Sequence, residues 1–388
     1  MIRNVLFFQE SISPDDGGVP RVTNVLSRQL ESRGYRCFFV FSSADNSDYD
    51  APAKLSIDVH DPATAQRIIE FIRSQDIDIL ICQNAYHNVF IAAFKQIRVS
   101  FPQLPFVCFL HASPTYWKAV HRPVREMFQY KFWIHTVKNI GKTLLFPIRN
   151  PYVSSYRSLY NISDKFVLLS ESFKKPFRDI CGIVSDRDKL LVIPNPLSFD
   201  VFVTPGDIKA KEKIVLIVSR LDEDQKRLSQ ALRAWWEVGR RKVNDWKLII
   251  VGSGPDEGYY REYVRRKRMS NVIFAGQQRS VSGFYERSSI FLMTSVWEGL
   301  PMSLLEAQQH GVVPVVYDSF SAIHDVVTDG QTGRLIKNGD IGAFALAVER
   351  LMEDDEGRAR MATQAVEASR RFRLSGIVDE WEKLIMAV

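Results

Sequence analysis

Short apolar runs alternate along this chain with stretches of helical spacing, and that alternation fixes the fold class. Residues 5–8, 37–41, 77–82 and 106–110 read as strands, and runs at 166–169 and 190–193 continue them. Between the first of these, Val22, Val25, Leu26 and Leu30 fall on one helical face, as do Ile68, Ile69 and Ile72. Apolar runs with no polar alternation belong to strands covered on both faces, as in parallel sheets built from β-α-β units. A second series begins at Ile214, with strands at 214–218, 248–251, 272–274, 290–295 and 312–316. Its helices lie near 228–238, 259–269 and 302–310, and two more follow before the tail. Pro194, Asn195 and Pro196 interrupt the two series. The expectation is an α/β chain of two doubly wound, Rossmann-like domains facing a central cleft. They span 1–195, which would bind an acceptor, and 196–372, which would bind a donor. A helix at 373–388 carries Ile377, Trp381, Leu384 and Ile385 on one face and crosses back to the first domain.

A length of 388 residues agrees with two cores rather than one. No apolar run approaches the roughly 20 residues of a membrane span, and the first residues read as a strand, not a signal peptide. A cytoplasmic protein is expected. Cys37, Cys82 and Cys108 sit inside apolar runs and Cys181 stands alone, so buried free thiols are expected rather than a metal site.

Ligands of doubly wound sheets bind beyond the carboxyl ends of the strands. Gly18, His111, Arg220, Gly252, Gly276 and Glu298 all follow strand ends. Glu298 and Glu306 bracket a Gly299, Leu300, Pro301 turn into a helix, and a helix N-terminus favours phosphate. Two carboxylates around an anion site suit a ligand with hydroxyls beside its phosphates, such as a nucleotide-sugar. Taken alone, both could be surface and helix-start acids, and the surrounding Gly299, Leu300, Pro301 turn with Leu304 and Leu305 favours function. Arg220 and Lys226 suit a diphosphate, one as a fork and one as a point charge, or they form a solvated charged loop. Gly17 and Gly18 allow close backbone approach to an anion or make a plain turn. Gly252, Ser253 and Gly254 fall short of a full dinucleotide fingerprint. His111 could meet a sugar hydroxyl or a phosphate, or be structural. The acidic pairs Asp76/Asp78 and Asp222/Asp224 have the string of a Mg²⁺ or Mn²⁺ site. The neighbouring cations already supply that charge, so no metal is expected.

The net charge of +6 is concentrated. Residues 117–149 hold seven lysines and arginines against one acid, Glu126. Trp117, Lys131 and Trp133 belong to this basic and aromatic stretch. It reads as an acceptor or anionic-membrane contact, or as an ordinary helix pair with snorkelling cations. Nucleic acid is the least favoured partner.

In order, these pieces resemble the retaining glycosyltransferases of family 4, which have the GT-B fold. The glycine loop at Gly17 and Gly18, the exit turn at Asn195, the Arg220/Lys226 pair and the strands ending at Gly252 and Gly276 all match. So do Glu298 and Glu306 as an E-x(7)-E motif, the run 311–316 and the stretch 327–333. The resemblance covers nearly the whole chain. It implies that Arg220 and Lys226 hold the donor diphosphate and that Glu306 binds the ribose hydroxyls. Glu298 would contact the donor sugar, Met302 and Ser303 would offer amides to the phosphates, and His111 would sit near the transferred sugar. Gly18 would lie under the pyrophosphate or acceptor. The implied activity is metal-independent transfer, with retention, from a UDP- or GDP-sugar and with no cofactor. The acceptor would be a glycan or lipid-linked glycan, as in bacterial surface polysaccharide synthesis, with the enzyme peripheral at the inner face of the cell membrane. A nucleotide-sugar sensor, an inactive homologue or an epimerase on the same fold are the alternatives. One departure stands out. The family's usual Gly-Phe-Gly is Gly299, Leu300, Pro301 here, and proline lacks an N–H. Proline is otherwise tolerated at a helix start, so a subfamily variant is expected.

Overall fold

A computed structural model of the chain describes residues 3–14, 17–42, 53–83, 88–115, 152–185, 188–198, 201–241 and 245–388. It divides into two units. The first comprises Met1–Pro194 with Val378–Val388, and the second is Asn195–Ile377.

Among the described residues, the first unit has strands β1 (Asn4–Gln9), β2 (Arg36–Phe41), β3 (Lys54–Ser56), β4 (Ile79–Gln83), β5 (Phe106–Leu110), β6 (Lys165–Leu168) and β7 (Leu190–Val192). They form one parallel sheet in the order β3-β2-β1-β4-β5-β6-β7. Every residue of β1, β4 and β5 is buried, as strands covered on both faces require. Phe8 meets Phe90 and Phe94 edge-on at 5.0 and 4.8 Å, docking the helix Asn88–Ser100 onto the sheet. The helix Leu374–Ala387 starts in the second unit and joins the first from Val378. There Trp381 is fully buried with its ring 5.1 Å from that of Phe109. Arg33 binds Asp379 and Glu382 at 2.7 and 2.8 Å.

The acidic pair Asp76/Asp78 is structural. Asp76 adopts φ 50° and its carbonyl accepts from Asn4 Nδ2 at 2.7 Å. Asp78 Oδ2 accepts the Asn4 amide at 2.8 Å. Both lie at the amino ends of β1 and β4, away from the carboxyl ends where ligands bind.

The second unit has β8 (Ile214–Val218), β9 (Lys247–Val251), β10 (Val272–Gly276), β11 (Ile290–Met293), β12 (Val313–Asp318) and β13 (Arg334–Lys337). Their order is β10-β9-β8-β11-β12-β13, again parallel throughout. The strand at β11 ends at Met293, two residues before its apolar run does. Thr294 and Ser295 are buried in the loop that follows.

Candidate active site

The strand order of the second sheet reverses between β8 and β11. Loops leaving neighbouring strands at such a point diverge and open a crevice. One is the stretch 219–227 after β8, and the other is 294–301 after β11. They are stitched together. The Val296 amide donates to the Gln225 carbonyl at 2.8 Å. Thr294 Oγ1 lies 3.0 Å from the carbonyls of both Lys226 and Arg227. Arg227 has φ 47°, a left-handed conformation that a non-glycine residue holds only against local cost, and Thr294 secures it. Glu223 anchors the next helix, Leu228–Arg241, by accepting from the Ser229 amide at 3.2 Å and from Tyr260 Oη at 2.9 Å. Burial, with the Glu223 charge beside it, pushes the Tyr260 phenol far up, so it remains a donor.

This scaffold lines up four polar side chains. Lys226 Nζ lies 2.5 Å from Glu298 Oε1, with the two side chains 20% and 9% exposed. Gln225 Nε2 donates to Glu298 Oε2 at 3.3 Å and to the Trp297 carbonyl at 3.1 Å. Gln225 Oε1 accepts from Arg220 Nη2 at 3.3 Å. Arg220 also pairs with Asp222 Oδ2 at 2.8 Å, and Asp222 Oδ1 takes the Asp224 amide at 2.9 Å. Both oxygens of Asp222 are therefore engaged within its own loop. The Arg220 side chain is 61% exposed, so its pairing with Asp222 is weak and a diphosphate can replace it. Among the described residues, no group of three or more His, Cys, Asp or Glu side chains could hold a metal ion.

The second half of the site is the helix Met302–Gln309. Pro301 is its N-cap, at φ −72° and ψ 114°, with no side-chain cap. The amides of Leu304 and Leu305 turn back to the Pro301 carbonyl at 3.1 and 3.3 Å. Those of Met302 and Ser303 have no acceptor among the described residues, which leaves a positive helix end. Asn195 Nδ2 holds the turn by donating to the Leu300 carbonyl at 3.0 Å. Glu306 lies one helical turn beyond Met302 and is fully buried. Tyr285 Oη is 3.1 Å from both Glu306 Oε2 and the Ser303 carbonyl. His310 Nδ1 meets the Glu306 carbonyl at 2.8 Å, and burial lowers its pKa.

Gly252 and Gly254 have a packing role. A Cβ on Gly252, at φ 129°, would run into the Ser219 carbonyl. One on Gly254 would lie 2.5 Å from the Leu221 carbonyl oxygen. The two loops need glycine to approach backbone to backbone, and the Leu221 amide donates to the Ser253 carbonyl at 2.9 Å. The Gly252 amide donates to the carbonyl of Gly276, which follows a register shift in β10.

Gly18 and His111 belong to the first unit. Gly18 opens the helix Gly18–Ser32, whose N-cap Gly17 has φ 140°. His111 follows β5, its Nε2 2.5 Å from Gln83 Oε1 and its ring 3.8 Å from that of Phe109. Trp117, Lys131 and Trp133 lie outside the described residues.

Two family profiles together match residues 16–368. "Glycosyltransferase Family 4" covers residues 16–201 and "Glycosyl transferases group 1" covers 201–368. The chain belongs to glycosyltransferase family 4. A relative in Campylobacter jejuni, an α-1,4-N-acetyl-D-galactosaminyltransferase named for a diNAcBac-PP-undecaprenol substrate, is 26% identical over 55% of this chain and 61% of its own length. The chain spans 61% or less of the length of the first curated relatives it matches. The N-acetyl-α-D-glucosaminyl L-malate synthase of Bacillus anthracis is 29% identical over 96% of this chain and 94% of its own. The crystal structure of Anabaena HepE in complex with UDP has a TM-score of 0.72 at 16% identity, covering 99% of this chain and 100% of that one. That likeness establishes the GT-B type of fold.

Gln225, Thr294 and Tyr285 escape a reading of the sequence, and Asn195 is read there only as the exit turn, not for its bond to Leu300. Each works through a partner 18 to 105 positions away, so spacing carries no sign of it. The one local hint is a glutamine placed directly before Lys226.

Proposed function

We propose that the chain is a retaining, metal-independent glycosyltransferase that moves a sugar from a UDP- or GDP-sugar to a glycan or lipid-linked glycan acceptor. The observation that carries this is the line Arg220, Gln225, Glu298, Lys226 beside an uncapped helix end, at the reversal point of the second sheet. Departure of a nucleoside diphosphate builds negative charge on its phosphates. Arg220, Lys226 and the Met302 and Ser303 amides stand ready for that charge, and stabilising it where it develops accelerates the step. The same cations make a metal unnecessary, and no organic cofactor is required. Glu298, held by Lys226 and Gln225, receives hydroxyls of the donor sugar. Glu306 takes the ribose. It has no exposed surface as it stands, so a ribose reaches it only when its covering shifts. His111 meets the transferred sugar, and Gly18 lies under the pyrophosphate or the acceptor. A diphosphate oxygen helps take the acceptor's proton as the acceptor attacks the face the diphosphate leaves, which retains the anomeric configuration.

The acceptor class follows the names of relatives that act on lipid-linked glycans, among them the Campylobacter enzyme and an Escherichia coli galactosyltransferase named for a diphosphoundecaprenol substrate. Bacterial surface polysaccharide synthesis is the setting this suggests, at the cytoplasmic face of the membrane. No helix among the described residues is long and apolar enough to cross a membrane.

A thermal-shift panel of UDP- and GDP-sugars is the first test, because a ligand specific to the native state raises the melting temperature. Incubation with the ligand so found then decides the activity. Released UDP or GDP and a product with the donor's anomeric configuration are expected. Tight binding without turnover would make the chain a sensor, and an altered sugar nucleotide formed without acceptor would make it an epimerase. Pelleting with anionic vesicles at low salt tests the peripheral placement, and a protein left in the supernatant would refute it.

A further inference from the structure

We propose that Tyr285 is a positioning residue for the nucleotide. Its hydroxyl donates to Glu306 Oε2 and so sets the carboxylate for the ribose. This rests on the nucleotide-sugar reading above, with Glu306 as the ribose contact.

Tyr285 lies in the short helix Ser282–Arg287 just before β11, and it is fully buried. It is fixed from several sides. Its ring stacks on His310 with centroids 5.4 Å apart and planes 26° apart. Its carbonyl accepts from Lys211 Nζ at 2.8 Å. A ring pinned in this way has one direction for its hydroxyl, and that direction leads to Glu306 Oε2 and the Ser303 carbonyl, each 3.1 Å away. A phenol has a single proton, and a carboxylate is the stronger acceptor, so the charge-assisted bond to Glu306 prevails. Holding Oε2 also fixes the plane in which Oε1 lies. A vicinal diol is read well only by a carboxylate whose plane is set in advance, because a rotating group loses entropy on binding. Without the tyrosine hydroxyl, Glu306 Oε2 would lose the donor that sets its plane.

The experiment is calorimetric titration of the full chain with UDP, GDP and their 2′-deoxy analogues. The ratio of ribo to deoxyribo affinity is the readout for whichever nucleotide binds more tightly. The wild type should prefer the ribonucleotide by about tenfold or more, the size of a hydrogen bond to a charged group. E306Q should abolish most of that preference, and Y285F should reduce it at least about threefold. Y260F is the control. Tyr260 is equally buried, with its hydroxyl on Glu223, and its loss should leave the ratio unchanged. Four outcomes overturn the proposal: Y285F keeps the full preference while E306Q loses it, Y260F loses as much as Y285F, E306Q keeps the preference, or neither nucleotide binds. Retention of the preference by E306Q, or binding of neither nucleotide, overturns the ribose reading of Glu306 as well. A crystal structure of the wild type with its nucleotide is the second measurement and needs no variant to fold. Tyr285 Oη must stay on Glu306 while the carboxylate meets the ribose, and a carboxylate turned away from the tyrosine refutes the proposal.

Discussion

Replacing Glu298 with glutamine keeps the shape of the side chain and removes its charge, which separates two effects that the structure places on one residue. The first is stability. Lys226 would be left without the partner now 2.5 Å away, in a place where the lysine is 20% exposed and the glutamate 9%. Breaking a buried pair costs about 3–5 kcal/mol, and an exposed pair is worth under about 1 kcal/mol. This pair stands between those limits, and Gln225 can still reach the new amide oxygen, so a loss of about 2 kcal/mol is expected. For a domain of this size that lowers the melting temperature by about 4–8 °C. The second effect is turnover, expected to fall about 100-fold or more, as when one charged contact to a transition state is lost. The double variant E298Q/K226M tells them apart, because it strands no charge. It should recover most of the lost stability and none of the turnover. Release of nucleoside diphosphate from the donor found by thermal shift, together with thermal unfolding, measures both. Near-normal turnover in E298Q would show that Glu298 is only the counter-ion of Lys226.

The Gly254→Ala variant should lose about 2 kcal/mol or more in thermal unfolding, because its Cβ would meet the Leu221 backbone at 2.5–2.8 Å and backbone cannot yield as a side chain does. Gly283→Ala, where nothing lies within 4 Å, should be neutral or slightly stabilising, and equal losses at both sites would refute the packing argument. Pro301→Ser supplies a capping hydroxyl for the Ser303 or Leu304 amide, so it should stabilise the free chain by up to about 1 kcal/mol and weaken nucleotide binding in the same titration. Burial lowers the Lys211 pKa to about 8, below the ordinary 10.5 of the unfolded chain. Between those values the unfolded state binds more protons, so stability rises with pH across the window and the penalty is fully present below it. The melting temperature of the wild type minus that of Lys211→Met should therefore increase from pH 8 to 10, and a flat difference would refute the burial argument.

Both sheets could be read from the apolar runs because their central strands are buried on both faces and carry nothing else. The two strands that the pattern hides, Lys54–Ser56 and Arg334–Lys337, are edge strands. Both are short and have polar residues at their ends, so Leu55 in one and Leu335 and Ile336 in the other are all the apolar signal they give. The helix Val153–Ile162 is hidden differently. Its serines lower its apparent helicity, although Tyr156, Leu159 and Tyr160 bury one face against the sheet. At the site, Arg220, Lys226 and Glu298 announce themselves as charges past strand ends or before a helix, and Glu306 by its spacing from Glu298. The residues that orient them do not. Gln225 and Tyr285 act only because β8, β11 and the helix before β11 bring distant loops together, and no local pattern encodes that meeting.

Pro301 shows how a residue can look like a defect in a motif and still serve it. In the sequence it removes an N–H from a turn expected to bind phosphate. In the structure it is the N-cap, with extended ψ, and its carbonyl begins the helix by accepting from Leu304 and Leu305. The N–H that it lacks precedes the helical amides, so the donors of Met302 and Ser303 are untouched. Its side chain is also unable to cap. The helices Pro205–Lys209, Ile341–Glu353 and Asp355–Ser369 are closed by Thr204, Asp340 and Asp354, whose oxygens take amides of the first turn. An aspartate or serine at position 301 would do the same and compete with any incoming anion. Proline starts the helix and fixes its entry while leaving its positive end without a side-chain cap. The same logic extends to Gly17, the cap of the helix after β1, which has no side chain to offer at all. At both helix starts that the proposed function assigns to the donor or acceptor, the capping position is filled by a residue that cannot satisfy the helix from within.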